Sequence, residues 1–156
     1  MFGFGKQIIE AATPIAGRIM DITAVADEAF SAKMLGDGFA VEPQAGENVI
    51  RAPFDGKVAL LADTLHAVAV ESHKAQLLIH IGVDTVDLGG QGFTAQVEEG
   101  AQVRKGQPLI SFDREYIESQ GKDLTIMVVL TNMDGKIDIV SKNLSNPQSV
   151  LKIQAG

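Results

Sequence analysis

What most narrows the folds open to this chain is its punctuation. From Ala12 onward, short apolar or alternating stretches are broken by Gly, Pro, Asn or Asp about every ten residues. Stretches that short leave little room for the turns with which an amphipathic helix buries its stripe, yet each is long enough for a strand. The pattern therefore predicts an all-β sandwich or barrel. Leu124–Leu130 is an unbroken apolar run, best placed as a central strand, with Ile137–Val140 and Val150–Ile153 as terminal strands. Two short helices are expected, over Asp27–Leu35 and Asp113–Lys122. In the first, Phe30, Met34 and Leu35 fall on one side at i, i+4 and i+5, and Gly36-Asp-Gly38 ends the helix before a strand at Phe39–Glu42. Thr13-Pro-Ile-Ala-Gly17-Arg-Ile19 echoes Ala52-Pro-Phe-Asp-Gly56-Lys-Val58, which is either a duplication or shared turn chemistry.

At 156 residues, 46% hydrophobic and 21% charged, the chain suits one soluble domain with a real core. Positions 1–11 read as a short tail and 12–156 as the domain, since no Pro/Ser-rich linker divides them. Phe2, Phe4, Ile8 and Ile9 make a weak amphipathic stretch, and Met1–Glu10 is too short and mixed for a signal peptide or a span. The net charge of −7 disfavours nucleic acid and suits a basic protein partner. No cysteine occurs, which excludes disulfides, thiolate metal sites and a Cys nucleophile, and fits a reducing, cytoplasmic setting.

The run Leu77-Leu-Ile-His80-Ile-Gly-Val-Asp84-Thr-Val-Asp-Leu88 interrupts an apolar strand with one imidazole. By strand parity Leu77, Ile79, Ile81 and Val83 face a core, while Leu78, His80 and Gly82 face the other way. A polar ring buried without a partner costs a kilocalorie or more, on the order of the known penalties, so His80 needs partners or solvent. Gly82 leaves room beside the ring for another molecule. His66 opens the preceding strand-like segment, His66–Ser72, and Ser72-His73-Lys74-Ala75 reads as the turn between them. A turn with an odd number of residues, centred on His73, would set His66 opposite His80 on one face. A two-residue turn would set them on opposite faces.

These residues resemble the glucose-type enzyme IIA proteins of the bacterial phosphoenolpyruvate:sugar phosphotransferase system. The His80 run looks like that family's active-site signature, and Thr64-Leu-His66-Ala like its second-histidine motif. Ala52-Pro53-Phe-Asp-Gly56, Gly36-Asp-Gly38, Gly90-Gln-Gly-Phe93, Glu98-Glu-Gly100 and Thr131-Asn-Met-Asp134 match in the same order, from about Ala12 to Ile153. The resemblance implies an antiparallel β-sandwich of barrel-sandwich hybrid type with short helical segments. It implies a phosphotransferase in which His80 accepts a phosphoryl group on Nε2 from the phosphocarrier protein HPr and gives it to a cysteine of a sugar-specific enzyme IIB domain. His66 would then donate a hydrogen bond to a phosphoryl oxygen, and Thr64, two residues earlier on the same strand face, would fix its tautomer. Asp27 and Asp134 would add charge to the rim, around an apolar platform of Phe30, Met34, Leu35 and Val86. Asp84 would guide a basic partner, ligate a metal or cap its own turn with Thr85. Ala62 and Ala69 stand where relatives commonly carry aromatic platform residues, and Ala75 where a turn glycine is usual.

The chemistry suits the residues. Neutral imidazole, with a pKa of about 6.5, attacks phosphorus at physiological pH and needs no metal. If Nε2 attacks, Nδ1 must carry the proton, held by an acceptor such as a backbone carbonyl near Gly82. Two other classes stay open. His80-Ile-Gly-Val-Asp84 also resembles the first metal motif of lysostaphin-type zinc peptidases, but no histidine follows His80 to complete that site. Zinc at His66 and His80, completed by a partner, remains an option with no cofactor required. The third class is a non-catalytic module that regulates transporters or metabolic enzymes. Glu98–Ile110 also resembles a piece of biotinyl and lipoyl carrier domains, without their modifiable-lysine turn.

Overall fold

The computed structural model describes residues 6–156. Thirteen strands run through the described residues: β1 (Gln7–Ala11), β2 (Gly17–Asp21), β3 (Asp37–Pro43), β4 (Val49–Arg51), β5 (Gly56–Leu61), β6 (Ala67–Ser72) and β7 (Ala75–Ile81). They continue as β8 (Phe93–Ala95), β9 (Gln102–Val103), β10 (Pro108–Phe112), β11 (Ile126–Leu130), β12 (Asp138–Lys142) and β13 (Leu151–Ala155). Helices α1 (Glu28–Ser31) and α2 (Arg114–Ser119) are short, as are the 3-10 turns Ile22–Ala24 and Thr85–Leu88. The expected all-β antiparallel architecture is what forms. A seven-stranded sheet, ordered β2-β3-β11-β7-β6-β5-β9, is packed against two three-stranded sheets, β1-β13-β12 and β4-β10-β8. Every pairing is antiparallel.

One large core fills the space between the sheets and takes side chains from all three, among them Phe39, Leu77, Ile79, Ile81, Ile110 and Ile153. A smaller core of Ile22, Val25, Phe30, Ala40, Met127 and Val129 lies on the other face of the large sheet, under the segment that links β2 to β3. Strand β11 is central and buried throughout. Ile126, Val128 and Leu130 enter the large core while Met127 and Val129 enter the small one. A strand covered on both faces has no solvent side to mark with polar residues, which is why its sequence is continuously apolar.

The proline-turn echo is a repeat in space as well as in sequence. The Ala12 N–H donates to Pro53 O at 3.0 Å and the Arg51 N–H donates to Pro14 O at 2.9 Å, so corresponding positions of the two motifs bond reciprocally. Each motif contains a glycine that opens a strand, and a Cβ there would strike the neighbouring strand's carbonyl, Glu42 O for Gly17 and Glu71 O for Gly56.

Three expectations need correcting. The domain begins earlier than position 12, because β1 pairs with β13 from Gln7 onward. Ile9 is buried and Ile8 exposed, the alternation of a strand, while Phe2 and Phe4 lie outside the described residues. Helix α1 stops at Ser31, not Leu35. Lys33 takes a left-handed φ of 60°, and the Met34 N–H reaches back to Ala29 O and the Lys33 N–H to Phe30 O, the two bonds of a Schellman stop. Phe30 is consequently buried while Met34 is 73% exposed, and the two do not share a helical face. Finally, the hairpin turn between β6 and β7 has two residues, His73 and Lys74, both left-handed at φ 45° and 70°, as a type I′ turn demands. Ala75, opposite Ser72, belongs to the strand.

Candidate functional site

Strand β7 presents its two faces as parity requires. Leu77, Ile79 and Ile81 are fully buried in the large core, and Gln76, Leu78 and His80 point to the other side. Val83 departs from that parity and packs with the small core, because the chain turns at Gly82, whose φ is +82°.

The two-residue turn sets Ala67, not His66, opposite His80. By register alone His66 would face away from His80. The rings nevertheless meet, with centroids 4.9 Å apart and planes at 77°. His66 escapes the register because it lies just outside β6. The chain reaches it through a turn in which Leu65 is left-handed at φ 58°. Its carbonyl still accepts from the Ile81 N–H at 2.7 Å, which fixes the backbone, while the ring is free of the pleat. Thr64 is in that same turn rather than on a strand, and its Oγ1 lies 2.5 Å from His66 Nδ1.

His80 Nδ1 lies 2.8 Å from the carbonyl oxygen of Gly82. A carbonyl only accepts, so Nδ1 carries the proton and the neutral ring leaves a lone pair on Nε2. Phe30 packs edge-on against the ring from the small core, with centroids 5.1 Å apart. Burial, and then the neighbouring His66, push the His80 pKa below the ordinary imidazole value; the Gly82 bond and the fields of Asp27 and Asp84 oppose this without cancelling it. Burial likewise lowers His66. Both rings are therefore neutral near pH 7.

The remaining candidates are spread more widely. Asp27 caps α1, accepting from the Ala29 N–H at 2.9 Å. Asp84 is exposed with a left-handed φ of 58° and heads the 3-10 turn Thr85–Leu88 without a side-chain cap. Val86 is 49% exposed on that turn. Phe30 is buried and supports His80 from within, so it is not a surface platform residue. Met34 and Leu35 are exposed and line a depression with Leu130, Thr131 and Met133. His80 pairs with Met127, and Leu130 is three residues farther along β11, about 10 Å at strand rise. Met34 and Leu35 thus lie toward the far end of β11 from His80 rather than against the rings. Asp134 accepts from the N–H groups of Lys136 and Ile137, at 2.7 and 2.8 Å, and caps its own turn. Gly82 is buried, and the space its missing side chain leaves is occupied from inside, by Thr85 and by Asp123 O, rather than open to another molecule.

Two apolar residues on the His80 face escape a reading of the sequence as docking candidates. Leu78 is half-buried, two residues before His80, and was legible from parity. Leu60 was not. It has the parity of Val58, a core residue, but a bulge between them puts Leu60 on the other face, opposite Ala69, where it is 48% exposed.

Among the described residues no three His, Cys, Asp or Glu side chains converge on a metal position. His66 and His80 supply two ligands, short of the three protein ligands a catalytic zinc requires. The residues present do not fit a resident zinc centre.

Comparison with known proteins decides the family. The phosphoenolpyruvate-dependent sugar phosphotransferase system EIIA 1 family matches residues 9–136, which includes both histidines. This chain belongs to that family. Its members serve phosphoryl transfer in sugar uptake, and this EIIA is a phosphotransferase-system phosphocarrier protein. It is similar to the glucose permease IIA from Mycoplasma capricolum, at 29% identity and a TM-score of 0.84, over 98% of this chain and 99% of that one. Two structures of Csd3 from Helicobacter pylori are more distant. The hexagonal form is 17% identical over 79% of this EIIA and 30% of that chain, with a TM-score of 0.49. The orthorhombic form is 20% identical over 60% and 23%, with a TM-score of 0.39. No helix among the described residues is long and apolar enough to cross a membrane.

Proposed function

We propose that this EIIA takes a phosphoryl group from phosphohistidine HPr onto His80 Nε2 and passes it to the cysteine of a sugar-specific enzyme IIB domain, in the cytoplasm. The observation that carries the reading is the meeting of the two imidazoles, with His80 Nδ1 tied to Gly82 O and its other nitrogen without a hydrogen-bond partner among the described residues. In the first transfer the Nε2 lone pair forms the P–N bond as the bond from phosphorus to the donor's ring nitrogen breaks, and that nitrogen keeps the electron pair. In the second, the cysteine thiolate attacks phosphorus and the His80 ring leaves, recovering its lone pair.

His66 stabilises the charge that moves onto the phosphoryl oxygens. With the Thr64 hydroxyl donating to Nδ1, His66 carries its proton on Nε2 and can give it as a hydrogen bond to phosphate. Asp27 and Asp84 favour the approach of a basic partner. Leu78, Leu60 and Val86 give that partner a shallow apolar surface, which Met34 and Leu35 extend toward the far end of β11. The transfer requires no metal, since neutral imidazole is itself the nucleophile. Phosphate on His80 would put charge in the middle of this surface, so regulation of transporters or metabolic enzymes is compatible with the same site.

The test is incubation with phosphoenolpyruvate, enzyme I and HPr, followed by assay for an acid-labile, base-stable phosphate. His80→Ala is expected to abolish labelling. His66→Gln is expected to take up phosphate but to pass it to enzyme IIB on the order of a hundredfold more slowly, as when one transition-state donor is removed. A labelled His80→Ala protein would refute the assignment.

A further inference from the structure

The Gly82 carbonyl sets the His80 tautomer, so what holds that carbonyl matters. Without it the ring is free to put its proton on Nε2, the atom that must be bare. Gly82 is at a left-handed corner clamped on two sides. On one, the Gly82 N–H donates to Thr125 O at 3.0 Å and the Val83 N–H to Asp123 O at 2.8 Å. That side of the clamp is itself fixed, because the Asp123 carboxylate accepts from both the N–H and the hydroxyl of Thr125, at 2.9 and 2.7 Å. On the other side is Thr85, fully buried although polar. Its hydroxyl donates to Ile81 O at 2.5 Å, and its methyl occupies the space a Gly82 side chain would need.

We propose that Thr85 is a positioning residue for phosphoryl transfer: its hydroxyl and methyl hold the Ile81–Gly82 backbone so that the Gly82 carbonyl keeps the proton of His80 on Nδ1. The role rests on His80 being the phosphoryl acceptor. A hydroxyl is used because Ile81 O lies where β7 ends, and a buried carbonyl left without a donor would relax toward another partner. Asp123 supports the same corner from the opposite side.

Imidazole 1H–15N correlation spectra at neutral pH read which nitrogen holds the proton and need no phosphate. Thr85→Val keeps the shape and removes the hydroxyl; it is expected to move His80 from the Nδ1–H form toward a mixture of tautomers. Phosphoryl uptake should slow by about ten- to a hundredfold, the usual cost of losing an orienting contact. Thr85→Ser, which retains the hydroxyl, is expected to restore most of both. If Thr85→Val fails to fold, Asp123→Ala at the exposed side of the clamp carries the test and should shift the tautomer the same way. An Nδ1–H tautomer unchanged in Thr85→Val, at any uptake rate, would overturn the proposal, as would an unchanged tautomer in Asp123→Ala where that variant stands in. A labelled His80→Ala protein would remove the acceptor assignment while leaving the tautomer result to stand or fall separately.

Discussion

His80 is a basic group kept from being basic. Half-burial against Phe30 and the closeness of His66 both penalise its charged form, while Gly82 O, Asp27 and Asp84 only partly compensate. The consequence for activity has a definite sign. Because the ring loses its proton below the usual imidazole value of about 6.5, phosphoryl uptake should be flat from about pH 8 to below pH 6.5 and fall only at more acid pH. The stability linked to the two rings has the same direction. It is fully present above the unfolded imidazole value and is lost as pH falls through the lowered folded values. A single-turnover pH profile checks the first point; a midpoint at or above 6.5 would contradict it.

The elements show where a sequence speaks and where it does not. Strand β11 was legible because burial on both faces leaves an unbroken apolar run, and the His80 face of β7 because parity is local. The short length of α1 was not, since the residue that stops it is a lysine in a glycine's conformation and carries no compositional sign. The β6–β7 turn hid in the same way, with His73 and Lys74 where Asn-Gly would announce a two-residue hairpin. The meeting of the histidines could be foreseen from the family signature but not from register, because it depends on Leu65 leading His66 out of the strand. The strained lysine gives a prediction at this scale. Lys33→Gly removes a left-handed side chain and the exposed contact to Asp37 at 3.7 Å, so it should stabilise the fold by about 1 kcal/mol. Chemical denaturation checks it, and a less stable variant would show that the Asp37 contact outweighs the backbone strain.

At the scale of the molecule, the segment that carries Asp27 and Phe30 to His80 is closed at its base by one ammonium group. Lys142, from β12 in another sheet, donates to Asp21 at 2.7 Å and to Asp37 at 2.8 Å, the residues that end β2 and begin β3. Burial alone would raise the Asp21 pKa, but the bonds from Lys142 and Thr23 win and hold it at about 2, against 3.8 for the free residue. Its contribution is complete above about pH 4 and is lost as pH falls through about 2, worth on the order of 1–2 kcal/mol after discounting for its partial exposure. Lys142→Met should therefore lower stability at pH 7 by about 1–3 kcal/mol and flatten the acid limb between about pH 4 and 2. Urea unfolding across that range measures both, and an unchanged curve would mean that the clasp contributes nothing.

All of these arrangements converge on one atom, Nε2 of His80. The decisive measurement is a phosphorus–nitrogen correlation spectrum of the 15N-labelled protein after it has been phosphorylated through HPr. The expected result is a single phosphoramidate on Nε2 of His80, with Nδ1 still protonated and His66 unmodified. Phosphorus on Nδ1, or on His66, would contradict it.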